Sequence, residues 1–177
     1  MTAAMLRSNA ALFNLNLTAC LKRDQVAATP PSAMDDSSMI PLGKTKFTTE
    51  LQVRPDDIDL FRHVHSSKYL DYVLAARFDQ MERCYGMPMQ AFLERGLGWV
   101  VKVSHLEYKR ALGIAEKCHV TTWIEDIRGS DVEVRFDITK AESKKTACTG
   151  WCVFTLISLT TTRPEPIPDD VMAKYAV

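Results

Sequence analysis

The sequence predicts an α+β domain, one long helix packed on an antiparallel sheet, and three observations carry that prediction. An alternating, strand-like segment leads into a long run with helical spacing. Four further alternating segments follow, joined mainly by hairpin-length turns. Helices do not recur between those strands, which excludes a doubly wound parallel sheet. The chain has 177 residues, 46% hydrophobic and 25% charged, which suits one globular domain able to bury a core without disulfides or metal.

In the first strand Phe47, Thr49, Leu51 and Val53 fall on one face. Pro55 and the acids Asp56, Asp57 and Asp59 end the alternation and turn the chain, with Asp56 and Asp57 read as turn acids. Ser66 and Ser67 then precede the helix as candidate N-caps. Its expected broad apolar stripe is Leu70, Leu74, Phe78, Met81 and Tyr85 with Tyr69, Val73 and Cys84 beside them, and Lys68, Asp71, Ala75, Asp79, Glu82 and Arg83 fall mostly opposite. Gly86 and Pro88 stop it, and residues 87–95 form a short second helix closed by Gly96 and Gly98. Residues 99–110 read as an interior strand because both faces are apolar. In residues 117–127, Cys118, Val120, Thr122 and Ile124 alternate with polar neighbours, and a turn at 128–131 leads to the strand of Val132, Val134, Phe136 and Ile138. Residues 146–159 make the last strand, with Cys148, Gly150, Cys152 and Phe154 on one face. Three prolines (Pro164, Pro166, Pro168) end the sheet before a short terminal helix at Asp169 and Asp170.

Composition removes several function classes. Lys+Arg and Asp+Glu are both 22, so no basic excess exists to grip nucleic acid. Five cysteines, an odd number without a CxxC pair, point to reduced thiols rather than a disulfide framework or zinc site. No apolar run reaches the length of a membrane span. Residues 1–43 differ from the rest: Arg7, Lys22 and Arg23 precede the first acid, Asp24, and a Pro/Ser-containing linker follows. They are expected to be an extension to a domain at 44–177. Two readings of them stay open, a plain extension of a cytoplasmic protein and a mitochondrial or plastid transit peptide.

The stretch of residues 53–70 resembles the hotdog-fold acyl-CoA thioesterases of the 4-hydroxybenzoyl-CoA thioesterase-like superfamily, in the manner of bacterial long-chain acyl-CoA thioesterases. Their pattern V-R-x-x-x-x-D-x-x-x-H-V-N-N-x-x-Y-L is met by Val53, Arg54, Asp59, His63, Val64, Tyr69 and Leu70. His65 and Ser66 stand where the family has its Asn pair, so the geometry of the loop is the point of departure. The resemblance extends over residues 45–177 and implies a hotdog fold, a curved antiparallel sheet wrapped around one central helix.

The resemblance also implies a chemistry. Asp59 would act on the thioester as general base for water or as nucleophile, with His63 orienting loop or substrate. The backbone N–H of Ser66, at the helix N-terminus, would face the thioester oxygen; Val64, His65 and Tyr69 would line the substrate. From the residues alone, a carboxylate beside a helix N-terminus can position a water, and the exposed N–H groups can stabilise an oxyanion. Neither metal nor bound cofactor is implied, and Asp59, His63 and His65 alone are a poor metal set. Arg77 and Lys102 are candidates for the phosphates of CoA. The expected reaction is hydrolysis of acyl-CoA to acid and CoA. Hydrolysis of acyl-ACP, and a hotdog protein that binds an acyl thioester without turnover, remain as alternatives. The family pairs sheets edge to edge, which implies a homodimer or tetramer with the site between protomers.

Overall fold

Residues 42–177 are described by the structure, a computed structural model. The chain order is β1 (Phe47–Gln52), a 3₁₀ turn (Pro55–Asp57), α1 (Lys68–Arg83), α2 (Met89–Glu94), β2 (Leu97–Tyr108), β3 (Lys117–Arg128), β4 (Asp131–Lys140), β5 (Thr146–Ser158) and α3 (Asp169–Tyr175). The strands form one antiparallel sheet in the order β1-β3-β4-β5-β2. Alternation explains them: Cys118, Val120, Thr122 and Ile124 of β3 and Val132, Val134, Phe136 and Ile138 of β4 are buried on the helix side.

Strand β2 departs from expectation. Among the described residues it is an edge strand paired only with β5, and Val103 is 41% exposed. The two-faced apolar run that read as interior is buried only near its start, at Gly98 and Trp99, where Trp99 packs against Phe92 of α2. Residues 102–105 are exposed. Between Val101 and Val103 the register slips, so Lys102 is a bulge, a common device at sheet edges. Further along, Gly150 of β5 lies opposite Leu106. A Cβ there would sit 1.9 Å from the His105 carbonyl oxygen and 2.8 Å from Phe136 Cζ, so only glycine admits this approach of the strands.

The face that α1 buries keeps Tyr69, Val73 and Met81 of the expected stripe, with Tyr85 just past its end, and adds Tyr72, Ala76, Arg77 and Gln80 to it. Tyr69, Tyr72, Val73, Ala76, Arg77, Gln80 and Met81 are buried, while Leu70 and Leu74 lie at the flank and Phe78 is 39% exposed. Polar pairing rotates the helix. The Gln80 amide donates to the carbonyls of Phe47 (3.2 Å) and Val120 (3.4 Å) and to Thr49 Oγ1 (3.2 Å), and accepts from Thr122 Oγ1. Arg77 donates to Thr122 Oγ1 (3.3 Å) and lies 5.2 Å over the Tyr85 ring. Hydropathy alone places neither residue inside, but satisfied hydrogen bonds do.

This polar layer separates two apolar clusters. One gathers Tyr69, Tyr72, Val73 and Ala76 with Val53, Val64, Leu112, Phe136 and Cys148. The other gathers Met81 and Tyr85 with Phe92, Trp99, Leu156, Val171 and Tyr175. The C-terminus closes the second end: Gly43 N–H donates to the Ala176 carbonyl (3.1 Å) and Thr45 N–H to that of Val177 (3.3 Å). Leu42 packs against the same cluster. The calls made for residues 1–41 lie outside the described residues. Among those described, no helix is long and apolar enough to cross a membrane.

Candidate active site

The segment between β1 and α1 folds back on itself as a small hairpin. Ile58 bridges to Val64, the Asp59 N–H donates to the His63 carbonyl (2.8 Å), and the His65 N–H donates to the Asp57 carbonyl (2.8 Å). Leu60, Phe61 and Arg62 form its tip, closed by Arg62 N–H to the Asp59 carbonyl at 3.0 Å. Arg62 has φ 63°, the left-handed conformation that ends such three-residue loops and favours glycine. Leu60 and Phe61 point to solvent, 99% and 80% exposed.

Asp59 closes the tip with its side chain. Oδ1 accepts from the N–H groups of Phe61 (2.8 Å) and His63 (3.3 Å), an Asx turn that fixes the carboxylate on the backbone. Oδ2 receives no hydrogen bond within the described residues, and the residue is half-buried. One oxygen is thus held and the other is left to a ligand or water.

Asp57 is the opposite case and corrects its reading as a turn acid. It is 1% exposed. Its carboxylate accepts from Arg54 N (3.3 Å), Nε (3.3 Å) and Nη2 (3.2 Å) and from the Tyr72 hydroxyl (2.8 Å), with Lys68 Nζ 3.9 Å away. Burial pushes its pKa up, but the Arg54 guanidinium and the Tyr72 hydroxyl outweigh this and hold it below the usual carboxylate range. Burial, reinforced by the same carboxylate, pushes the Tyr72 phenol far up.

The helix start is built differently from the expected pair of serine caps. Ser67 occupies the N-cap position, but in helical conformation (φ −65°, ψ −23°) and without a side-chain cap bond. Its hydroxyl pairs with His65 Nδ1 at 2.9 Å, and its N–H points to the same nitrogen at 3.3 Å. The His65 carbonyl takes the Lys68 N–H at 2.9 Å. His65 thus braces the helix start, its ring holding Ser67 and its carbonyl taking the first helical N–H, while neither serine side chain caps the helix. Ser66 is exposed, its carbonyl accepts from the Tyr108 hydroxyl (3.0 Å), and its N–H meets no acceptor within the described residues.

The remaining candidates divide between surface and core. His63 is exposed and its ring makes no hydrogen bond within the described residues. Val64 and Tyr69 face the core at 4% and 3% exposure; the Tyr69 hydroxyl accepts from Leu112 N–H at 3.1 Å. Arg77 is 6% exposed and donates to Thr122 in the polar layer, while Lys102 pairs with Asp131 at 2.8 Å. Cys118, Cys148 and Cys152 are buried, and burial raises each thiol to about 11, which keeps them protonated and inert. Among the described residues no three His, Cys, Asp or Glu side chains gather as a metal cluster. Sequence reading missed Arg54, Tyr72 and Tyr108 as supports of this site. The available signals were an Arg and an Asp three residues apart before the helix, and a tyrosine one turn into it.

With this geometry in place, comparison with known proteins is informative. A profile of the thioesterase-like superfamily matches residues 53–175. The long-chain acyl-CoA thioesterase FadM of Escherichia coli (strain K12) is 21% identical over 126 residues, covering 71% of this chain and 94% of its own. Among solved structures, DHNA-CoA thioesterase from Staphylococcus aureus superimposes with a TM-score of 0.70 at 22% identity, over 74% of this chain and 89% of that one. The S. aureus protein SAV2348, solved in complex with CoA, gives 0.68 at 20% identity over 75% and 83%. These likenesses bear out the hotdog arrangement of helix and sheet.

Proposed function

Because this chain belongs to the thioesterase-like superfamily, we propose that it hydrolyses an acyl-CoA thioester, with Asp59 as the group that acts on water or on the carbonyl carbon. One observation carries the reading: Asp59 has one oxygen locked to two backbone N–H groups and the other unengaged, on the hairpin that leads into the free Ser66 N–H. A thioester lying across that hairpin would meet both. Asp59 would accept the proton of attacking water or attack the carbonyl carbon itself, and the Ser66 N–H, at the positive end of α1, would take the developing oxyanion. His63 stands beside Asp59 as the side chain free to orient substrate. The CoA named for FadM and for the CoA-bound S. aureus protein supports CoA as the carrier.

The site is proposed to form in a homodimer. β2 is an edge strand twelve residues long whose outer side meets no strand among the described residues, and Leu60 and Phe61 protrude beside the candidate catalytic carboxylate. Apolar groups and open edges of this kind are ordinarily covered. Pairing β2 with a second copy would cover the edge and turn the 59–66 loop toward the partner. An active monomer in light scattering at micromolar concentration would remove this part of the proposal.

The decisive test is a hydrolysis screen over acyl-CoA chain lengths with acyl-ACP alongside. Turnover of CoA esters that is lost in Asp59→Asn supports the reading. Preference for acyl-ACP reassigns the carrier. Binding of acyl-CoA without hydrolysis makes the protein a non-catalytic acyl-thioester binder.

A further inference from the structure

We infer that Asp57 and Tyr72 form a positioning strut for Asp59, setting the hairpin against the start of α1 so that carboxylate and Ser66 N–H face one substrate. The inference rests on the catalytic reading of Asp59. Its basis is connectivity. Tyr72 belongs to the first turns of α1, and its hydroxyl reaches Asp57 Oδ2 at 2.8 Å across fifteen residues of chain. Arg54, on the strand side of the hairpin, grips the same carboxylate from its backbone N–H and its guanidinium. The Asp57 carbonyl in turn holds the His65 N–H at 2.8 Å, and His65 meets the helix start through its ring on Ser67 and its carbonyl on the Lys68 N–H. One buried residue therefore ties together the incoming strand, the outgoing arm of the hairpin and the helix.

These ties enclose both proposed reacting groups. Asp59 follows Asp57 by two residues, and Ser66 follows His65 by one. Neither Asp57 nor Tyr72 is exposed enough to touch substrate (1% and 5%), so their effect must pass through Asp59 and Ser66. Val64 anchors the return arm in the core, but the tip, with Leu60 and Phe61 exposed, gains no such packing. Loss of the strut would let it shift by fractions of an ångström, and misplacement near 1 Å can lower rates about 100-fold.

Tyr72→Phe keeps the ring in its core site and removes only the hydroxyl. Two readouts decide, and the first needs no activity. Amide exchange at His65, read against Val134 and Phe136 of β4, should quicken about tenfold while the β4 amides hold their rates. In steady state, kcat should fall about 10- to 100-fold with KM within about twofold of wild type. Val171→Ala, in the other apolar cluster, serves as the matched control for general loss of stability and should leave kcat unchanged. The strut is overturned if His65 exchange is unchanged or rises equally with β4, or if kcat in Tyr72→Phe falls no further than in the control. A wild-type chain inactive on every thioester would end the hydrolase reading instead, and the exchange result would still decide whether the strut holds the loop.

Discussion

Asp57 and Asp59 stand two residues apart on one hairpin and live under opposite conditions. Asp57 is enclosed, with donors from Arg54 and Tyr72 on both oxygens. Asp59 is half-buried and, within the described residues, is tied only to local backbone and keeps an oxygen unengaged. A saturated carboxylate has nothing left to offer a substrate, whereas an immobilised but unsaturated one is suited to general-base work. The count of partners, rather than the residue type, separates architecture from chemistry.

The largest effect expected from breaking this contrast is on turnover. Asp59→Asn keeps the oxygen that closes the turn and removes the base. It should lower kcat by about 10² to 10⁴ while moving stability by no more than about 0.5 kcal/mol, read by steady-state kinetics and urea unfolding. Asp57→Asn should show the reverse emphasis, a stability loss of about 1–3 kcal/mol from a buried acceptor set that no longer matches its donors. It is unsuited as an inert control for Asp59. Its cost should also depend on pH. Because the folded Asp57 pKa is depressed, its stabilisation is complete above the unfolded value near 3.9 and is lost as pH falls through the folded value. The gap between wild type and Asp57→Asn should therefore be widest near neutrality and close in acid, measurable by urea unfolding across pH.

Smaller effects sharpen the same picture. Ser66→Ala should change kcat by no more than about threefold, since the proposed donor is the backbone N–H and the hydroxyl bonds nothing within the described residues. Arg62→Gly relieves a left-handed residue at the tip, offset by added freedom in the unfolded chain. A gain of up to about 1 kcal/mol in urea unfolding is expected, and a clear loss would show that Arg62 makes an interaction of its own.

Much of this was legible in the sequence because its signals are local. Alternation in residues 117–138 and the turn between them fix β3 and β4, and the spacing of Asp59, His63 and Tyr69 marks the hairpin and helix. What escaped depends on partners distant in the chain. Nothing near Gln80 announces Thr122, and nothing near Asp57 announces Tyr72, so sequence alone leaves Arg77 and Gln80 out of the buried face and gives Asp57 as a turn acid. Whether β2 has one neighbour or two is likewise a property of topology, not of its own residues. That His65 rather than a serine side chain braces the helix start was hidden by the two serines beside it, which fit the familiar preference.

The Gln80 layer has a mechanical consequence. A purely greasy helix can slide or turn against a sheet at modest cost, since one methyl group replaces another. Here a shift of one turn, about 5.4 Å, would pull the Gln80 amide from its two carbonyls and two hydroxyls, each lost partner costing about 1–3 kcal/mol. Gln80 thus indexes α1 like a tooth in a rack. Ser66 lies at the far end of that rigid rod, about 20 Å up the axis, so the height of a proposed oxyanion donor is dictated by an amide remote from any chemistry.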